Sequence, residues 1–258
     1  MTCTVRLRFH GDLTFFLKSR TPEWLVERRL REKSSVKDVI ESCGVPHPEV
    51  DLILVNREPV DFSFQLEQSE EIDIYPVEQE PTLFTEKRMQ DRGIVAFIAD
   101  GHLGKLVRDM RLLGFDVFYD RDAEDRRLIE LSRIDNRRAL LTRDRRLLMH
   151  SAVRNGYYLR SQDPLEQTVE MVRRFELSAA INPFIRCLRC NALLEGISKN
   201  EVLSKLEPLT RIYYEQFRRC IGCGQVYWAG SHFLKLQWRV ERIRQLIAAD
   251  GRLGECSD

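Results

Sequence analysis

The sequence predicts an α/β chain of parallel β-α units, preceded by a smaller α+β domain and followed by a cysteine-rich module. Three observations predict it. Residues 94–175 alternate short apolar runs with amphipathic helical patterns, which implies a parallel sheet covered by helices. Residues 1–80 read instead as strand, strand, helix, strand, strand. Two Cys-x-x-Cys pairs, Cys187 with Cys190 and Cys220 with Cys223, are separated by 29 residues.

In the first stretch, "TVRLRF" alternates Val5, Leu7 and Phe9, and "DLTFFL" alternates Leu13, Phe15 and Leu17. The "HGD" between them predicts a hairpin turn. Val36, Val39, Ile40 and Cys43 recur at helical spacing, and Gly44 and Pro46 end that helix. "LILV" is a strand, "NREP" a turn and "EIDIYPV" a closing strand. The polar stretch containing Pro81, residues 81–93, predicts a linker.

Residues 94–178 follow as the α/β domain. "IVAFIA" is a strand, and Leu103, Leu106, Val107, Met110 and Leu113 share one face of a helix ended by Gly114. "FDVFY" is the next strand, and Leu128, Ile129, Leu131 and Ile134 mark a helix. "ALLT" is a strand, "RRLLMHSAVRN" a helix ended by Gly156, and "YYL" a strand. Pro164 opens a last helix with Leu165, Val169 and Val172 inward. Residues 179–258 hold the cysteine pairs and a basic helix over 233–247, with Leu234, Val240, Ile243 and Ile247 apolar beside Lys235, Arg239, Arg242 and Arg244.

The chain has 258 residues, 43% hydrophobic, enough apolar material for one to three cores. Its 41 basic and 40 acidic residues nearly cancel, so any basic surface is local. "MTCTVRLRFHGD" interrupts its apolar residues with arginines, unlike a signal peptide, and runs such as "GIVAFIA" are far short of a membrane span. Four of the seven cysteines form the two pairs, and Cys3, Cys43 and Cys256 are scattered. This pattern points to metal binding in a reducing compartment, and so to a cytoplasmic protein without membrane contact.

Every strand of the α/β domain runs into an acid at the same end. "IVAFIA" ends in Asp100, "FDVFY" in Asp120 with Asp122 and Asp125 beyond, "ALLT" leads to Asp144, and "YYLRSQ" to Asp163. Open α/β sheets form their sites beyond these carboxyl ends. Each aspartate alone is equally well read as a helix N-cap. Ser, Thr and Asn cap about as well, however, and crowded carboxylates repel unless a cation neutralises them. Oxygen ligands of this kind suit Mg²⁺ or Mn²⁺ and phosphate-bearing substrates. Residues 86–160 contain fifteen Arg and two Lys, and Arg presents a fork that matches phosphate oxygens. Arg143, Arg145 and Arg146 flank Asp144 and are the candidate substrate-binding residues, with Arg121 and Arg160 at other strand exits. The competing reading is a solvated helix face with acids nearby. His102 reads as first-turn helix surface.

Cys187, Cys190, Cys220 and Cys223 have the ligand pattern of a closed four-thiolate zinc site, structural because no position is left for water. The basic segments around them interleave Tyr213, Tyr214, Phe217, Tyr227 and Trp228, which suit either single-stranded RNA or the module's own core.

Residues 1–80 resemble the ubiquitin-like β-grasp fold, especially its sulfur-carrier branch, through the element order and "IDIYPV". Carriers need a free Gly-Gly carboxy terminus, whereas here "EQEPTLF" continues the chain, which favours a protein-binding role. The motifs "ADGHLGKL", "LLGFDVFYDRD", "LLTRD", "LRSQDP" and "CGQVYWAGSHF" resemble the Mut-seven C-terminal ribonuclease family, a PIN-like nuclease domain joined to a zinc ribbon. The resemblance implies a metal-dependent ribonuclease acting on single-stranded or structured RNA. It implies Asp100, Asp125, Asp144 and Asp163 as catalytic acids, with Asp100 and Asp144 holding Mg²⁺ or Mn²⁺. Asp122 and Glu130 compete with Asp125 for the second place, and Arg127 stands where an acid is expected two residues after Asp125. Two other functions fit parts of the sequence: a non-catalytic RNA-binding adaptor and a component of sulfur transfer.

Overall fold

The computed structural model describes residues 3–17, 25–77 and 84–250. The chain divides into two compact units, one of Met1–Ile94 and Ala123–Tyr158, the other of Val95–Asp122 and Leu159–Asp258.

The first unit opens with strands β1 (Cys3–Phe9), β2 (Leu25–Leu30) and β3 (Ser34–Ser35), then helix α1 (Val36–Ser42). Strands β4 (Val50–Val55), β5 (Glu58–Val60), β6 (Gln65–Leu66) and β7 (Glu71–Pro76) follow. Five of these strands form a mixed sheet in the order β2-β1-β7-β4-β5, with β1 and β7 parallel and the other neighbours antiparallel. Alternation places Val5, Leu7 and Phe9 in the core and leaves Arg6 and Arg8 exposed. Val36, Val39 and Ile40 of α1 pack onto that core. Ser35 starts the helix by accepting the Asp38 amide, and Gly44, at φ +97°, follows its end. Asn56 and Arg57, both at positive φ, make the β4–β5 turn expected from "NREP". This arrangement fits a ubiquitin-like domain.

One expected element differs. Residues 11–16 form a 3-10 helix rather than the second strand, and Leu25–Leu30 takes the strand position. Gly11, at φ +56°, turns the chain, and Leu13 and Phe16 are buried three residues apart while Phe15 faces outward. The apolar set therefore follows a helical spacing, which a short "LTFF" run satisfies as well as alternation does.

The segment expected as a linker is packed onto this domain where it is described, over 84–93. Asp51 is fully buried, accepts from the Gln90 amide at 2.9 Å and is ion-paired with Arg88 at 3.4 Å. Gln90 also donates to the carbonyls of Val50 and His47.

The rest of the first unit is helix α3 (Asp125–Ile134), strand β10 (Arg138–Thr142), helix α4 (Arg145–Leu148) and strand β11 (Gly156–Tyr158). Ahead of them in the chain, in the second unit, come strand β8 (Ala96–Ala99), helix α2 (Gly104–Leu112) and strand β9 (Asp116–Tyr119). β8 pairs with β9 in parallel, and β10 with β11 in parallel, each pair joined through a helix. This is the β-α-β pattern of an α/β fold. The helix expected over "RRLLMHSAVRN" covers only Arg145–Leu148. Gly156 opens β11 rather than ending a helix, and a Cβ there would approach Leu148 Cδ2 to 2.6 Å. Residues 153–158 are stitched to the ubiquitin-like domain: His47 Nε2 lies 2.7 Å from the Val153 carbonyl, and the Tyr158 amide donates to Glu49 at 2.6 Å.

The second unit continues with helix α5 (Pro164–Arg174), strand β12 (Leu194–Ile197) and helices α6 (Lys199–Val202) and α7 (Pro208–Tyr213). It ends with strands β13 (Phe217–Cys220) and β14 (Val226–Trp228) and helix α8 (Ser231–Asp250). Strands β12, β13 and β14 form a small antiparallel sheet over Val202, Leu206, Phe217 and Val226. Val240 and Ile243 of α8 are buried as expected, but Leu234 is 58% exposed. Partly buried Phe233 and Leu236 set the inward face instead, at the three- and four-residue steps leading to Val240 and Ile243. Among the described residues no helix is long and apolar enough to cross a membrane.

Candidate active site and metal centre

Asp100 leaves the buried strand β8 directly. It stands at the N-cap position of the 3-10 turn Gly101–Leu103, yet its side chain makes no cap hydrogen bond to that turn. Its carboxylate is only 18% exposed, and Oδ2 lies 3.2 Å from His102 Nδ1. His102, read from sequence as plain helix surface, thus belongs to the surroundings of this acid. Its two-residue distance from Asp100 was the available signal.

Two glycines of "ADGHLGKL" explain how Asp100 is held. A Cβ on Gly101 would come within 2.4 Å of the Arg121 carbonyl, and one on Gly104 within 2.7 Å of the Tyr119 hydroxyl. Tyr119 in turn donates to the Gly101 carbonyl at 2.8 Å. The exits of β8 and β9 therefore touch backbone to backbone, which only glycine permits. Beyond β9, Asp120 accepts the Asp122 amide at 3.1 Å, closing a local turn with both carboxylates exposed.

The exit of β11 is a built loop. Glu170 accepts the amides of Arg160 and Ser161 at 2.8 and 3.4 Å, and Ser161 Oγ accepts the Asp163 amide at 3.0 Å. Asp163 then caps α5, accepting the Leu165 and Glu166 amides at 2.8 and 3.1 Å. Exposed Asp163 keeps carboxylate lone pairs beyond those two bonds.

In the first unit, exposed Asp144 caps α4 by accepting the Arg146 and Leu147 amides at 2.7 and 3.4 Å. Asp125 lies exposed in the first turn of α3, whereas Glu130 is paired with Arg127 at 2.8 Å. The three candidate arginines have different surroundings. Arg145 donates to the Phe16 carbonyl at 3.0 Å, and its guanidinium lies over Phe15, Phe16 and Tyr158. It serves packing against the ubiquitin-like domain, while Arg146 is exposed and Arg143 half-buried.

The four cysteines converge. Their Sγ atoms all lie within 4.8 Å of one another, with Cys187 and Cys223 3.6 Å apart and Cys190 and Cys220 3.3 Å apart. The edge of a tetrahedral zinc–thiolate site is about 3.8 Å, from a Zn–S bond of about 2.3 Å. The amides of Gly222 and Cys223 both face Cys220 Sγ at 3.4 Å, the donors a bound thiolate needs. Tyr227 OH lies 3.1 Å from Cys187 Sγ. Burial opposes ionisation of Cys187, but Tyr227 and the backbone amides of Cys190 and Arg189 outweigh it and bring the thiol down to about 6. The set can hold a metal such as zinc.

This centre is tied to β9. Buried Arg111 donates to the Leu188 and Arg189 carbonyls of the first knuckle at 3.4 and 2.9 Å, and to the Val117 carbonyl at 3.0 Å. Asn191 bridges the same gap, donating to Asp116 at 2.8 Å and accepting the Val117 amide at 3.1 Å. Gly114 leaves room for the approach, since a Cβ there would meet the Asn182 carbonyl at 2.2 Å.

Residues 95–240, which carry every strand-exit acid and all four cysteines, match the family model described as Mut7-C RNAse domain. The chain belongs to that family. Residues 2–82 match a second model, Mut7-C ubiquitin, in agreement with the mixed sheet of the first unit. No curated protein and no solved structure gives a match. The Mut7-C RNAse match spans both cysteine knuckles and reaches Val240 of α8, so one family model covers the acids, the four cysteines and the start of that helix.

Proposed function

We propose that the chain is a metal-dependent ribonuclease of PIN-like fold, in which Asp100, Asp125, Asp144 and Asp163 hold Mg²⁺ or Mn²⁺. Asp100 carries this reading. Asp144 and Asp163 bond the amides of the helices they precede, whereas Asp100 leaves buried β8 with a carboxylate only 18% exposed and His102 Nδ1 3.2 Å from it. Carboxylate oxygens fit hard divalent cations, and such a cation would activate water and stabilise the leaving oxygen of a phosphodiester. Arg146 and Arg143 would hold the scissile phosphate by charge-assisted bonds, and the acids would hold the cation. His102, beside Asp100, orients that carboxylate. Zinc at the four cysteines has a structural role, and the ribbon assists RNA binding. The ubiquitin-like domain meets a protein partner.

The test is cleavage of labelled single-stranded and structured RNA by the full chain with Mg²⁺, Mn²⁺ or neither, comparing wild type with Asp100→Asn. Cleavage by wild type alone, with Mn²⁺ bound more weakly by the variant in calorimetry, supports the assignment. RNA binding without cleavage by either protein would leave the adaptor role.

A further inference from the structure

The exposed side of α2 continues from Asp100 as a line of nitrogen-bearing side chains. His102, Lys105 and Arg108 are all exposed, at three-residue steps. Arg108 Nη2 donates to His232 Nε2 at 3.2 Å, which carries the line onto the first turn of α8. Exposed Lys235 lies one turn beyond His232, and Trp238 is 78% exposed between Lys235 and Arg242 on one helix face. The register of the two helices is held by Asp109, buried on α2, which takes both Nε and Nη2 of Arg239 at 3.1 and 2.5 Å. Asp109, and more weakly Asp163, also raise the Arg239 guanidinium above its ordinary value.

Most of the Trp238 indole lies in solvent, and its neighbours three residues before and four after are Lys235 and Arg242. That combination suits a base on the ring face with phosphates on either side. Glu241 is the one acid of the stretch 231–249.

We propose that the outer faces of α2 and α8 form one track for single-stranded RNA, with Trp238 stacking on a base and Lys105, Arg108, Lys235 and Arg242 meeting the backbone. The track leads to Asp100, and in that respect it rests on the ribonuclease reading. It also adds, to the arginines around Asp144, a binding surface on helices that sequence alone does not bring together.

The experiment uses the full zinc-loaded chain carrying Asp144→Asn, so that RNA binding is read apart from cutting. Anisotropy of a fluorescein-labelled single-stranded oligoribonucleotide is followed against salt. Trp238→Ala should weaken binding about tenfold, with Trp238→Phe retaining part of it. Lys105→Ala with Lys235→Ala should lower the salt slope by about 0.7 per lost phosphate contact. Circular dichroism and zinc content establish that each variant is folded, and the lysine pair serves as a second route should Trp238→Ala fold poorly. RNA binding at wild-type strength and salt slope by all variants would overturn the track, as would the absence of any RNA binding by the parent, which would favour a protein ligand. Wild-type protein that binds through these residues but never cuts would retain the track and sink the ribonuclease reading instead.

Discussion

Tyr119 donates its hydroxyl hydrogen to the carbonyl of Gly101, the residue next to Asp100, at 2.8 Å. The bond joins the exits of two parallel strands, β8 and β9, and so sets where the acid stands. Its chemistry is ordinary, but the packing around it leaves no slack: both nearby glycines are sites where a methyl group would collide.

Gly101→Ala should therefore cost about 1–3 kcal/mol, the range for forcing extra volume into a packed site. Tyr119→Phe should cost about 1 kcal/mol by leaving the Gly101 carbonyl without this donor. Urea denaturation of both variants checks the order. If Gly101→Ala is as stable as wild type, the two strand exits do not touch.

The capping aspartates allow structure and chemistry to be separated. Asn caps nearly as well as Asp, so Asp144→Asn and Asp163→Asn should leave stability within a few tenths of a kcal/mol, while Asp144→Ala and Asp163→Ala should each cost about 1 kcal/mol. RNA cleavage should fall steeply in all four. Equal cleavage by wild type and Asp144→Asn would remove that residue from the metal site.

Folded Cys187 gives up its proton far more readily than its ordinary value of 9.0 allows, near 6. The resulting stabilisation of the metal-free ribbon is complete above pH 9, the unfolded value, and is lost as pH falls through about 6. Chelated protein should accordingly unfold at lower urea concentration at pH 6 than at pH 9. Tyr227→Phe removes the hydroxyl beside Cys187 and should weaken zinc about 10- to 100-fold, measured by competition with a chromogenic chelator. Unchanged zinc affinity would mean that the hydroxyl does not support the thiolate.

Arg145 and Arg146 are adjacent in sequence and should behave as opposites. Arg145→Ala should destabilise the first unit by about 1–2 kcal/mol through lost stacking on three aromatic rings. Arg146→Ala should leave stability within about 0.5 kcal/mol, as expected for an exposed side chain, while weakening RNA affinity. Thermal denaturation and anisotropy on the same two proteins test the pair.

Much of this protein is readable from local pattern. Period-two alternation marks β1, the three- and four-residue spacing marks α1 and α2, and Asp144 and Asp163 announce caps that the structure bears out. The cysteine pairs were legible because thiolates at knuckle spacing have few other uses, and their convergence follows. Short apolar runs were less clear. "LTFF" satisfies a 3-10 turn as well as a strand, and "RRLLMH" sustains only a single helical turn before the chain must enter β11.

What the sequence by itself determined is the order of elements, the acids at the strand exits and the four thiolates, because each depends on neighbours within a few residues. Only the tertiary structure decided that Asp100 does not bond its turn as a cap, that Arg145 packs on rings contributed from far along the chain, and that Arg108 meets His232. These outcomes depend on which side chains the folded backbone brings within hydrogen-bond or van der Waals reach. Such distances are set by packing across the whole domain, and one-dimensional spacing does not contain them.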